Sequence, residues 1–326
     1  MKKRILSILC AAVMLLTACS QTAQSSTGSA SGTQEDGRIT VLATTYPVYL
    51  FANAVAENVD GVEVDRLDTG AISCLHDYTL SVGDMKKIES ADIIAINGVG
   101  LETFMEDALA ATQATLIDTS EGVDLLENLA HHHEEGDEHT HDHGHYDPHI
   151  WLDPANARQM VENLYKGLSE ADPDHAEEYS ANMTTALALL GSWEQLMKDS
   201  IAQNAGFIKG GLITFHDGFQ YFAKAFDLPL LASIEEEAGS EASAKEINHI
   251  TEMVKEKEIP VIFTEANGSD ATARAIARET GCAVGQLTML MSGDGKDLSA
   301  YLDGMMGNIQ ALVNGFAGRE IIQSAN

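Results

Sequence analysis

The chain has 326 residues, 44% of them apolar, and sets 50 acidic against 19 basic side chains for a formal net charge of −31. That acidity argues against nucleic acid or an anionic membrane surface as a partner. The length is sufficient for two lobes of ordinary domain size.

The first eighteen residues read as a targeting segment (1–18) rather than part of a fold. Lys2, Lys3 and Arg4 make a positive start, and Ile5 to Leu16 form an apolar run too short to span a bilayer alone. Leu16-Thr17-Ala18 directly before Cys19 resembles the cleavage site of a bacterial lipoprotein signal. The resemblance implies that Cys19 becomes a lipidated amino terminus, placing the protein outside the cytoplasm and anchored to the bacterial cell membrane. An ordinary secretory peptide with an incidental cysteine is the alternative. Residues 19–37, rich in Ser, Thr, Gly and Gln, cannot bury a core and read as a flexible tether. Its root-mean-square reach is roughly 23 Å.

Beyond the tether, short β-rich runs alternate with helical patterns. Strands are expected at Ile39–Thr45, Ala91–Asn97, Thr115–Asp118, Gly211–Phe215, Leu228–Ile234, Pro260–Thr264 and Ala283–Leu287. Between them lie helices such as Ala244–Lys257, with Ile247, Ile250 and Val254 on one face and a capping box from Ser243 to Glu246. Such alternation means parallel sheets flanked by helices. From Pro173 to about Asn204 there is no strand signal and no internal proline, so the spacing predicts one helix about 45 Å long. The fold expected is α/β: an N-terminal lobe over 38–172, a rigid connecting helix over 173–204 and a C-terminal lobe over 205–322.

Between His131 and His149 the chain places eight of its 12 histidines, interleaved with Glu134, Glu135, Asp137, Glu138, Asp142 and Asp147. Neutral imidazole is a good ligand for late divalent metals, and tracts of this kind read as metal-binding. His131, His132, His133, His139, His141, His143 and His145 are therefore candidate auxiliary metal sites in a loop over 131–146. A purification tag is the bland rival, but tags sit at termini and rarely alternate His with acids.

Three histidines stand apart, each at the end of an apolar run: His76 before Asp77-Tyr78, His149 within DPHIWLDP, and His216 after GLITF. In open α/β folds ligands sit beyond the carboxyl ends of strands, which is where His216 falls and where Glu265 ends IPVIFT. A ligating histidine usually gives its other ring nitrogen to a carboxylate or carbonyl. Asp77, Asp153 and Asp217 are near enough in sequence to serve. Taken singly, each histidine could equally be a satisfied structural residue. His175 and His249 fit that ordinary reading, as surface residues of helices. Cys74 and Cys282 are the two cysteines of the body; an oxidising setting permits a disulfide, sequence gives no distance, and free buried thiols are favoured.

Four segments in order, TTYPVYLFANAVA, CLHDYTLSVGDMKKIESADIIAINGVGLETF, DPHIWLDPANARQM and TFHDGFQYFAKAFDL, resemble the metal-binding solute-binding proteins of ABC importers, specifically the zinc-uptake branch. The likeness runs from about Ile39 to Phe316. It implies one metal in a cleft between the two lobes, held by His76, His149 and His216. It also implies delivery to a cognate permease driven by an ATPase, by a protein that is a monomer and not an enzyme. The family often supplies a late carboxylate as fourth ligand, where this chain has Thr288. Water, a histidine of the loop or Glu265 could take its place, with water or Glu265 favoured and Cys74 a more distant candidate. Three imidazoles suit Zn²⁺, whereas oxygen-rich sites suit Mn²⁺, which ranks second here.

Two other functions share these features. Three histidines with an open position also describe catalytic zinc in a hydrolase, but neither an HExxH helix nor a GxSxG elbow occurs. A surface adhesin would require an exposed partner-binding patch, on which sequence is silent.

Overall fold

The computed structural model describes residues 38–67, 69, 70, 75, 78–128, 145–235, 242–266 and 270–323. The targeting segment, Cys19, the tether, Cys74, His76, Asp77 and loop histidines 131–143 lie outside the described residues.

Two four-stranded sheets, each wholly parallel, carry the fold. The first holds β1 (Ile39–Ala43), β2 (Val62–Arg66), β3 (Ile93–Ile96) and β4 (Thr115–Asp118) in the order β2-β1-β3-β4. The second holds β5 (Leu212–His216), β6 (Leu230–Glu235), β7 (Val261–Glu265) and β8 (Ala283–Leu287) in the order β6-β5-β7-β8. The same plan is thus used twice. In each sheet the chain leaves its first strand in one direction and returns on the other side. The crevice beyond the carboxyl ends of β1 and β3, and its counterpart beyond β5 and β7, are the switch points at which such sheets bind ligands.

Seven strands follow the apolar runs in the sequence, β4 and β8 with the expected ends and the others with ends shifted by one or two residues. The shift matters at β5 and β7, because His216 and Glu265 are the last residues of their strands and not the residues after them. The eighth, β2, reads VEVDR and lies at a sheet edge; its charged residues and half-exposed pattern carry no apolar run.

Several of the helices begin where polar caps satisfy the free N–H groups of a first turn. Thr45 caps α1 (Tyr46–Val55), and Ser81 with Asp84 forms a capping box on α2 (Val82–Ser90). A short helix, α3 (Glu106–Ala111), precedes β4. Asp153 caps α4 (Pro154–Ala171), with Pro154 at its first position. After a single 3-10 turn at Pro173–His175 comes α5 (Ala176–Asn204), the predicted long helix, about 44 Å from end to end. In the second half α6 (Gln220–Ala225) follows β5, and α7 (Ala244–Glu256) starts at the Ser243–Glu246 capping box. Finally α8 (Ala271–Thr280) and α9 (Leu298–Ala317) both end on glycines in the left-handed conformation.

α5 packs on α1 and α4 of the first half and on α9 of the second, so it joins the two as a shared spine. The main apolar cluster also crosses between them. Trp151 is fully buried; its indole Nε1 donates to Met289 O at 2.8 Å, and its own carbonyl accepts from Tyr301 Oη at 2.8 Å. A buried aromatic with its polar edge satisfied contributes both apolar area and fixed geometry. Trp151 stands two residues after His149, so this joint sets where that histidine is presented. Among the described residues no helix is long and apolar enough to cross a membrane.

Candidate metal centre

Two of the three singled-out histidines meet. His149 Nε2 lies 3.4 Å from His216 Nε2, and the rings stand at 87° with both side chains almost wholly buried. Two bonds of about 2.0–2.1 Å to one tetrahedral zinc separate their nitrogens by about 3.4 Å. The two nitrogens therefore stand at the spacing that one shared ion requires. They come from opposite halves, His216 from the end of β5 and His149 from the turn before α4.

The orientation of His149 is fixed from behind. Asp147 Oδ1 lies 2.7 Å from His149 Nδ1 and accepts from His149 N at 2.9 Å. A buried carboxylate in that position makes Nδ1 the protonated nitrogen and Nε2 the unprotonated one, the form in which imidazole binds a metal. Asp147 is itself held: Oδ2 accepts from Gln220 Nε2 at 3.1 Å, and its carbonyl accepts from Tyr221 Oη at 3.0 Å. Tyr221 Oη in turn accepts from Leu126 N, and Asp147 N donates to Leu126 O. Burial pushes the Tyr221 phenol upward, so it remains a hydroxyl donor.

Close packing completes the pocket. A Cβ on Gly218 would lie 3.0 Å from the His149 ring and overlap the tip of the Met289 side chain, so any larger residue there crowds the ring. Glu265, buried at the end of β7, falls level with His216 when the pairing Thr214↔Phe263 is continued along both strands. Asp217 is also buried. Among the described residues no three His, Cys, Asp or Glu side chains close around one point. His76, Asp77 and Cys74 lie outside the described residues, and Cys282 is a free, half-buried thiol.

The remaining expectations fall elsewhere. Among the described residues Asp153 meets neither His149 nor His216; it caps α4 through Ala155 N at 2.8 Å, and burial raises its carboxyl. The orienting acid is Asp147, which the sequence had presented as one more acid of the histidine-rich tract; its place two residues before the ligand was the available signal. Thr288 is engaged in its own turn, its Oγ1 accepting from Leu290 N and its backbone bonded to Asn308. His145 sits exposed at the base of the tract, where Glu127 pairs with Tyr146. His249 is exposed, and His175 is a structural residue whose bond to Asp172 raises its imidazole.

A second buried network backs the site from the first sheet. Glu102 accepts from Thr44 Oγ1 at 2.6 Å, Asn97 N at 2.7 Å and Gly98 N at 3.1 Å. Burial pushes its carboxyl up to about 7, against the downward pull of those three donors. Asn97 Nδ2 donates to Pro148 O at 2.9 Å, which ties this network to the residue before His149. The turn is tight: Gly98 has φ 84°, and a side chain there would strike Asp118.

Two parallel sheets of matching order, a long shared helix and a buried imidazole pair at the strand ends place the chain among the two-sheet α/β binding proteins. The chain belongs to the family of the zinc-uptake complex component A, periplasmic, whose model matches residues 41–315. It is 31% identical over 305 residues to the zinc-binding protein AdcA of Streptococcus pyogenes serotype M3, covering 88% of this chain and 58% of that protein. To the high-affinity zinc uptake system protein ZnuA of Bacillus subtilis it is 29% identical over 314 residues, covering 94% and 95% respectively. The chain thus spans less than two-thirds of the streptococcal relative and nearly all of the Bacillus one. Among solved structures, a crystal structure of ZnuA superposes with a TM-score of 0.72 at 25% identity, covering 86% of this chain and 99% of that one. A laminin-binding protein of Streptococcus agalactiae shares the fold, with a TM-score of 0.71 at 24% identity.

Proposed function

We propose that this protein captures Zn²⁺ outside the cytoplasm and hands it to the permease of an ABC importer, without turnover of its own. The observation that carries this reading is the buried Nε2–Nε2 pair of His149 and His216 at 3.4 Å, with the far side of His149 on Asp147. His76 is the third ligand, brought from the segment before α2, and Glu265 or water completes a tetrahedron. Imidazole-rich coordination favours Zn²⁺ over Mn²⁺.

In this reading residues 38–172 and 205–322 are the two lobes and 173–204 the strut between them, with Cys19 lipidated and 19–37 as the tether. Names of relatives support it: that of Streptococcus pneumoniae, 30% identical over 94% of this chain, is called a zinc-binding lipoprotein. The histidine-rich tract raises the local zinc concentration near the site. The test is calorimetric titration of the mature body with Zn²⁺ and Mn²⁺, with and without residues 131–146. One tight zinc site that survives removal of the tract and is lost in His216→Ala supports the reading. Loss of all tight binding with the tract overturns it.

A further inference from the structure

We infer that Gln220 is a positioning residue for the metal site, acting through Asp147 to hold His149 in its ligating tautomer; this rests on the site reading above. The Asp147 carboxylate is 1% exposed and its two oxygens do different work. Oδ1 takes both His149 Nδ1 and His149 N, while Oδ2 takes the Gln220 amide at 3.1 Å. A carboxylate in a site this dry holds its orientation only while donors face both of its oxygens. The Gln220 side chain is the donor that faces Oδ2. Without it the carboxylate turns toward another donor, and that turn ends its service as acceptor for His149 Nδ1–H. The Nδ1–H tautomer of His149 is then no longer fixed, and that tautomer is the one in which Nε2 can bind a metal.

The placement of Gln220 gives the contact a second consequence. It lies four residues beyond His216 on the same segment, the end of β5 leading into α6, whereas Asp147 and His149 belong to the turn before α4. One segment of the second half thus supplies one ligand directly and braces the other. Tyr221, its neighbour, holds the Asp147 carbonyl as well, so the first turn of α6 grips this residue at both its side chain and its backbone. The ligands are prepared together only when the two halves are docked.

The experiment uses the mature protein and the variants Gln220→Met and Gln220→Ala, with His216→Ala as reference. The methionine keeps the length and bulk of the side chain without its donor, and the alanine removes both. Two quantities are measured: zinc affinity by competition with a chelator, and the His149 ring tautomer in metal-free protein by nitrogen NMR. The expected result is a single Nδ1–H tautomer in the parent, a mixed population in both Gln220 variants, and zinc affinity lower by about 10-fold, the modest end for residues that orient a ligand. An unchanged tautomer and unchanged affinity in both variants, with binding still lost in His216→Ala, overturns the role of Gln220 alone. Unchanged affinity in His216→Ala overturns the site itself.

Discussion

The two sheets share one strand order, yet their switch points hold opposite kinds of chemistry. Beyond β5 and β7 the strand ends present His216 and Glu265, and His216 faces an imidazole from across the molecule. Beyond β1 and β3 the corresponding place is filled by the chain itself: Glu102 is wrapped by Thr44, Asn97 and Gly98. One crevice brings two buried imidazoles face to face, and the other spends its polar groups on its own backbone. The difference shows that a switch point is an opportunity for binding and not a guarantee of it. The first crevice serves the second at one remove, because Asn97 fixes the Pro148 carbonyl next to His149.

If that division is right, substitutions in the two places should fail in different ways. The largest effect on binding is expected from His149→Ala and His216→Ala, each lowering zinc affinity by more than the ~100-fold reached by residues that only orient ligands. Titration calorimetry checks this, and thermal unfolding of the metal-free His216→Ala protein should change less than that of His149→Ala, which also strips a donor from buried Asp147. Next comes the joint between the halves. Trp151→Ala removes a fully buried aromatic and is expected to cost about 3–5 kcal/mol in chemical denaturation, with zinc affinity reduced as well because His149 loses its support.

Glu102→Gln sharpens the contrast through pH. The Glu102 carboxyl is raised to about 7 in the folded protein, so between its unfolded value and pH 7 the native state binds the additional proton. Stability contributed this way is full at acidic pH and declines as pH rises toward 7, by an amount on the order of 3 kcal/mol. Denaturation curves across that window should show the decline in the parent and flatten in Glu102→Gln. The smallest effect is expected from Gly218→Ala, whose added methyl presses on the His149 ring and Met289. A loss of zinc affinity within about 10-fold, with the fold intact, is the outcome predicted by chelator competition.

Much of the architecture was legible because central parallel strands such as β3, β5 and β7 are buried and largely apolar, and seven apolar runs stand out between amphipathic stretches. The long helix announced itself by the absence of strand and proline signals, and the α7 start by its capping box. The strand β2 did not, since at a sheet edge Glu63, Asp65 and Arg66 can reach water and no apolar run is required. Of the site, His149 and His216 were visible as histidines closing apolar runs. The acid behind His149 was not, because Asp147 lies among acids of a histidine-rich tract and only folding separates it from them. Gln220 carried no signal at all: its significance comes from a contact across 73 residues of sequence, which no local pattern records.

The most direct test is a crystal structure of the zinc-loaded mature body, with the metal located by its anomalous scattering. The expected result is one strong peak about 2.0–2.1 Å from Nε2 of both His149 and His216, with His76 as a third ligand. A peak confined to the histidine-rich tract, with His149 and His216 still facing each other without metal, would contradict the assignment.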